Sequence, residues 1–161
     1  MDTALNKAIR LRDVGKFEES KAILIQLADK YTDFPYVQYQ CAWSLDLLGE
    51  EAKAVAYYER AIGLGIAGKE LEGALLGLGS TYRTLGAYQK SKETFLKGIK
   101  LFPDNKAIQI FYTMTLFNLE EHEAAMQLLL ECLMETTRDE EILKYKNAIR
   151  FYSDKLNDVW E

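Results

Sequence analysis

The sequence has little proline, cysteine, histidine or valine, and each shortage narrows the possible structures. Its 161 residues include 2 Pro, 2 Cys and 1 His. Only 4 Val accompany 23 Leu and 16 Ala, an excess of helix formers over β-branched residues that favours an all-α protein. Cys41 and Cys132 are too few and too far apart for a disulfide framework, so we expect two buried free thiols.

Runs of positive charge and long apolar runs are also missing. The chain has 20 Lys and Arg against 25 Asp and Glu, a net charge of -5, so it lacks the basic surface that nucleic acid binding requires. No window approaches the roughly 18 uncharged apolar residues of a membrane span, and the N-terminus does not resemble a signal peptide. We therefore expect a soluble, cytoplasmic protein with neither nucleic acid nor membrane as partner. At 48% hydrophobic residues the chain can bury a core.

Residues that could carry catalysis or hold a cofactor are sparse. His122 stands alone at the start of a predicted helix and cannot supply a base, an orienting group and a metal set together. The glycines of residues 63–68 have the spacing of a dinucleotide-binding motif, but the preceding pattern is helical and that motif must follow a strand. We interpret this segment as a turn. The sequence predicts a protein that is not an enzyme, with no catalytic residue, no metal site and no cofactor.

The chain repeats itself. Gly15, Gly49 and Gly86 are 34 and 37 residues apart, and each lies at a break between two helical patterns. A further step of 34 residues reaches Glu120, where the glycine is missing but the break persists. The period predicts four units, each made of a helix, a tight turn and a second helix.

The residues at fixed offsets resemble the tetratricopeptide pattern of Trp, Leu-Gly, Tyr, Ala, Phe and Pro. In the third unit the pattern falls on Leu75, Leu78, Gly79, Tyr82, Ser91, Phe95 and Pro103. In the second unit it falls on Gln38, Cys41, Ala42, Leu45, Ala54, Tyr58 and Ile66. The resemblance implies an all-α, right-handed superhelical solenoid of about four helix-turn-helix repeats, with boundaries near 2–34, 35–70, 71–104 and 105–137. This array of residues 1–137 is followed by a C-terminal capping helix in residues 138–161.

The C-terminal segment has its own helix signals. Thr137 and Glu140 have the spacing of a capping box, which predicts a helix that begins after Thr137 and ends near Val159. An apolar stripe at steps of three and four residues would lie against the fourth repeat. It consists of Ile142, Tyr145, Ile149, Tyr152, Leu156 and Val159. Phe151 and Trp160 lie off this stripe and have no assigned partner.

The resemblance also implies that the first helix of each repeat lines a concave face. The residues predicted to point into it are Leu5, Ile9, Arg12, Tyr36, Tyr39, Trp43, Asp46, Leu76, Ser80, Arg83, Ile110, Met114 and Phe117. Large, rigid aromatic side chains suit a groove for a peptide, and Trp43 is the strongest candidate. Arg12, Arg83 and Asp46 could orient a partner through charge-assisted hydrogen bonds. The alternative is that several of these side chains fill the seams between helices.

Two functions follow from this surface. The first is a non-catalytic adaptor that binds a peptide or partner protein of unknown identity. Some tetratricopeptide proteins grip an acidic tail through basic residues, but the matching positions here are not basic, so we do not expect that mode. They hold Leu5, Ile9, Gln40, Gly73 and Gly77. The second function is structural, with the apolar surface forming a homodimer interface.

Overall fold

The structure, a computed structural model, describes residues 1–161 as ten α-helices without a strand. The helices are α1 (Asp2–Asp13), α2 (Phe17–Lys30), α3 (Pro35–Asp46), α4 (Glu51–Gly63), α5 (Gly68–Thr84), α6 (Tyr88–Leu101), α7 (Lys106–Asn118), α8 (His122–Thr136), α9 (Glu140–Lys144) and α10 (Lys146–Tyr152). The predicted all-α class and the pairing of helices are confirmed. None of the helices combines the length and apolarity that a membrane span requires.

The chain adopts the same type of turn at all four predicted breaks between helices. Gly15, Gly49 and Gly86 have φ values of 81°, 72° and 76°, in the left-handed region that glycine adopts without strain. In each turn the following N–H donates to a carbonyl five residues earlier, as from Lys16 to Leu11 at 2.8 Å. This bond defines the Schellman motif that ends a helix. The turn at Glu120 keeps the same conformation, with a φ of 62°, so the predicted fourth break is confirmed without its glycine.

Glu120 is the one non-glycine residue with positive φ, and this conformation costs an ordinary residue about 1–2 kcal/mol. We expect Glu120→Gly to raise the free energy of unfolding by up to about 1 kcal/mol, because glycine relieves the strain but has a more disordered unfolded state. Glu120→Ala removes the same charge and keeps the Cβ, so it serves as the control. Equal stability of the two variants in urea titrations would contradict this explanation.

The chain divides into two compact units, Met1–Thr94 and Phe95–Glu161. In the first unit α1 packs against α2, α3 packs against α2 and α4, and α5 packs against α4. Its core pairs small residues with large ones: Ala8 and Ala42 are fully buried, as are Leu24 and Tyr58. In the second unit α7 packs against α8, and α10 also packs against α8. The division at 137 predicted above follows the repeat period and stays a prediction.

The glycine segment between α4 and α5 is a turn, as predicted. Gly63 ends α4, Gly65 has a φ of 85°, and α5 begins at Gly68. A helix rather than a strand precedes the segment, so the dinucleotide-binding motif lacks its required context. The cysteines are both free and buried, as predicted, and burial raises the pKa of Cys41 to about 12.

The C-terminal segment is helical, but the predicted single helix to Val159 is wrong in its extent. Two short helices, α9 and α10, meet at Tyr145, and the second ends at Tyr152. The N-cap is Asp139, whose carboxylate accepts the Ile142 N–H at 3.0 Å, and not Thr137. Most of the predicted apolar stripe is not packed against the fourth repeat. Its exposed members are Tyr145, Tyr152, Leu156 and Val159. An uncovered stripe contributes little burial energy to extend a helix.

Candidate functional site

Three aromatic side chains of α3 form one face of that helix. Pro35 begins α3 at the position where its fixed φ suits a first helical turn. Tyr36, Tyr39 and Trp43 follow at steps of three and four residues, so they lie above one another on the same face. Tyr36 is 39% exposed and Trp43 40% exposed, while Tyr39 is half-buried. We call these three residues the α3 stripe.

Arg12 holds the tryptophan of the stripe from the neighbouring helix α1. Its guanidinium carbon lies 3.9 Å from the centre of the Trp43 ring, a cation–π contact. One guanidinium nitrogen donates to Gln40 Oε1 at 2.5 Å, and another donates to the Gln40 carbonyl and to Ser44 Oγ at 3.4 Å. Arg12 is only 6% exposed, and burial lowers its pKa. Arg12 is therefore engaged by contacts within the protein and supports Trp43, while its predicted contact with a partner stays a prediction.

Tyr39 contacts two aromatic rings, that of Trp43 in the stripe and that of Tyr58 on α4. Its ring centre is 6.1 Å from that of Trp43, with an interplanar angle of 28°, and 6.4 Å from that of Tyr58 on α4. Offset and tilted arrangements of this kind are the favourable ones for aromatic pairs. Burial raises the pKa of Tyr39, and the nearby carboxylate of Glu70 raises it further, whereas Arg12 lowers it. Tyr39 and Trp43 of the stripe therefore form a stacked pair that Tyr58 extends towards α4.

Two glycines of α5 make room for the tyrosines. A Cβ on Gly73 would lie 3.1 Å from Tyr39 Cζ and closer still to its hydroxyl. A Cβ on Gly77 would lie 2.5 Å from Tyr58 Cζ. No real side chain tolerates such contacts without movement of the ring, so α5 carries glycine where the rings of α3 and α4 approach it. The sequence shows these glycines on a helix, but nothing local indicates which side chains they accommodate.

Asp46 is the last residue of α3. Its carboxylate accepts a hydrogen bond from Tyr58 on α4 at 3.0 Å and one from Thr81 on α5 at 2.8 Å. These two bonds connect three consecutive helices through one side chain. Burial raises the pKa of Asp46, which the two hydrogen bonds partly oppose. Burial, together with the charge of Asp46 and the hydrogen bond to it, raises the pKa of Tyr58 far above its ordinary value.

The remaining predicted site residues are divided between core and surface. Leu5 is buried in the core of the first unit and supports the face without lining its surface. Ile9, Leu76, Ser80 and Arg83 are half-buried. In the second unit, on α7, Ile110 is half-buried, Met114 is exposed, and Phe117 is 63% exposed with its ring centre 4.9 Å from that of His122. His122 is the first residue of α8, as predicted, and its side chain is exposed.

No group of three or more His, Cys, Asp or Glu side chains is placed to hold a metal ion. The side chains collected at the α3 stripe are aromatic rings, one buried guanidinium and one half-buried carboxylate. This arrangement offers apolar contact area with a polar edge, which is the chemistry of a binding surface.

Helix pairs that recur along the chain at a period of about 34 residues are characteristic of helical-repeat proteins. The sequence matches the model of the family described as Tetratrico peptide repeat over residues 35–156, about three quarters of the chain. The chain therefore belongs to the tetratricopeptide repeat family, whose repeats generally mediate protein–protein interaction.

Solved structures share this fold at low sequence identity. YrrB, a TPR protein with an unusual peptide-binding site, is 16% identical with a TM-score of 0.72, over 96% of this chain and 77% of YrrB. The MamA RS-1 ArsTM double mutant is 15% identical with a TM-score of 0.74, over 96% of this chain and 85% of that protein. A search of curated proteins finds no significant match. At these identities the likeness concerns the fold alone.

Proposed function

We propose that the protein is a non-catalytic adaptor that binds a peptide or a segment of a partner protein on the α3 stripe. The observation that carries this proposal is that Trp43 and Tyr36 are exposed on one face of α3, while Arg12 packs against the Trp43 ring. A large aromatic side chain that remains 40% exposed while Arg12 packs on its ring is pre-organised for contact, so little conformational entropy is lost on binding. The peptide-binding site of YrrB supports the same class of function.

The proposal predicts a large effect of Trp43→Ala on binding. We expect the variant to weaken partner binding by about 2 kcal/mol, roughly 30-fold, because the loss of an aromatic anchor removes its contact area with the partner. The helical content should stay near that of the wild type, since much of the ring lies outside the core. Parallel pull-downs from the source lysate, followed by titration with the captured partner, measure this effect.

Trp160→Ala provides a matched control for that experiment. Trp160 is the other tryptophan of the chain, it is also exposed, and it lies in the second unit. Partner binding should be retained in this variant. Unfolding of Trp43→Ala in circular dichroism would show that Trp43 belongs to the core, and equal loss of binding in both variants would show that the surface was assigned incorrectly.

Self-association is the second candidate function, favoured by an aromatic cluster at the C-terminus. The ring centre of Trp160 lies 5.5 Å from that of Tyr152 and 6.3 Å from that of Phe151, and all three side chains are about half exposed. Contiguous exposed apolar side chains are typical of interaction surfaces. If it forms a homodimer, light scattering over a concentration series should show a dimer that Trp160→Ala returns to monomer. A monomer at every concentration would reject this candidate.

A further inference from the structure

Asp46 carries a negative charge that nothing in the protein neutralises. Its two hydrogen-bond donors, Tyr58 and Thr81, are neutral hydroxyl groups, and no Lys, Arg or His forms an ion pair with it. An ionised carboxylate has about four acceptor positions, so the two hydroxyl groups of the protein fill only about half of them. Asp46 is half-buried, which makes an uncompensated charge more costly than it would be at an open surface.

The position of Asp46 on its helix adds to this cost. It is the last residue of α3, where the helix dipole presents its negative end and favours a cation. The last turns of α1 and α5 follow this rule with Arg12 and Arg83, which occupy the equivalent position in their repeats. The last turn of α3 contains no basic residue. The burial that raises the pKa of Asp46 agrees with a site that would gain from a positive charge.

The other charges near the α3 stripe do not supply that cation. Arg12 is buried against Trp43 and bonded to Gln40. Glu70, whose carboxylate raises the pKa of Tyr39, is acidic and so supplies no cation. The accessible part of this face therefore combines exposed aromatic rings with the half-buried carboxylate of Asp46, a surface complementary to a basic and apolar segment.

We propose that the segment bound on the α3 stripe carries a Lys or Arg whose cation pairs with Asp46, next to a large apolar side chain that packs on Trp43. This inference rests on the proposed function. Trp43 and Asp46 are three residues apart, about 4.5 Å along the helix axis. An extended peptide advances about 3.3 Å per residue, so the basic and apolar residues of the partner are one or two positions apart.

Pools of random peptides that share one fixed central residue show whether the site prefers a basic side chain, and the identity of the partner need not be known. Fluorescein-labelled 11-residue pools, about 36 Å long when extended, carry Arg, Lys, Gln, Glu or Leu at the centre and random residues elsewhere. Fluorescence anisotropy is measured with the full chain. We expect the Arg and Lys pools to bind about 5- to 10-fold more tightly than the Gln pool, with the Glu pool the weakest, and this preference to shrink at high salt.

Asp46→Asn should lower the affinity of the Arg pool to that of the Gln pool while leaving the Leu pool unchanged. Glu93→Gln is the matched control, because it removes one negative charge from an exposed position of the same unit and should change nothing. Asp46→Glu should restore part of the preference. If the Asn variant does not fold, the ranking of the pools on the wild type and its salt dependence still decide the question.

Two results overturn the inference and distinguish it from the proposed function. If the pools bind, lose affinity in Trp43→Ala and show no preference for Arg or Lys, the α3 stripe binds peptides but the basic partner is wrong. A preference for the Glu pool would likewise show that the α3 stripe binds peptides but that the partner is not basic. If no pool binds the wild type up to millimolar concentration, both the inference and the peptide-binding function are rejected.

Discussion

Replacing Gly77 with Val is expected to lower the free energy of unfolding by about 3 kcal/mol. A Cβ at this position would lie 2.5 Å from Tyr58 Cζ and 2.9 Å from Tyr58 Cε1. Tyr58 is 2% exposed and donates its hydroxyl hydrogen bond to Asp46, so the ring can move only by opening the core and losing that bond. The higher helix propensity of valine recovers a few tenths of a kcal/mol at most.

Gly63→Ala is the control for that substitution. Gly63 also lies in a helix, at the end of α4, but a Cβ there meets nothing within 4 Å and its φ is not positive. We expect this variant to match or slightly exceed the stability of the wild type, because alanine is the better helix former. Urea titrations of both variants give the comparison. A Gly77→Val variant within 0.5 kcal/mol of the wild type, on the order of an ordinary surface substitution, would show that Tyr58 has room to move.

Phe95→Ala is expected to cost about 4 kcal/mol of the free energy of unfolding. Phe95 occupies the large-residue position of the third repeat, is fully buried, and has its ring centre 6.3 Å from that of Tyr112. Truncation to alanine removes the aromatic contact and leaves a cavity that the surrounding helices cannot fill completely. Thermal unfolding and urea titration measure the loss.

Leu129 occupies the same position in the fourth repeat and serves as the comparison. It is 41% exposed, whereas Phe95 is fully buried. Leu129→Ala should therefore cost less than about 1 kcal/mol. Equal losses for the two variants would mean that Leu129 is buried in solution, by this chain or by a second copy.

The repeat architecture could be predicted from the sequence because its signal is periodic. Gly15, Gly49 and Gly86 identify turns that need a left-handed residue, and the period located the fourth turn at Glu120 although the residue type gave no indication of it. The C-terminal helix was less predictable. Its apolar spacing is regular, but the spacing cannot show that Tyr145 and Leu156 have no surface to pack against.

The candidate site was predictable only in part. Steps of three and four residues place Tyr36, Tyr39 and Trp43 on one helix face from sequence alone. The role of Arg12 as the support of Trp43, and the space that Gly73 provides for Tyr39, depend on contacts between residues more than 30 positions apart. Local patterns carry no information about such contacts, so the buried and exposed members of the face could not be distinguished before the structure.

Chemical-shift mapping tests the central claim most directly. The protein, labelled with ¹⁵N, is titrated with the peptide pool that binds most tightly, and shift changes are followed at backbone amides and at the Trp43 indole N–H. We predict that the largest changes occur at Tyr36, Tyr39 and Trp43. Changes confined to the cleft between α2 and α4, which is lined by Ile25, Asp29 and Tyr57, would place binding on another surface and contradict the assignment of the α3 stripe.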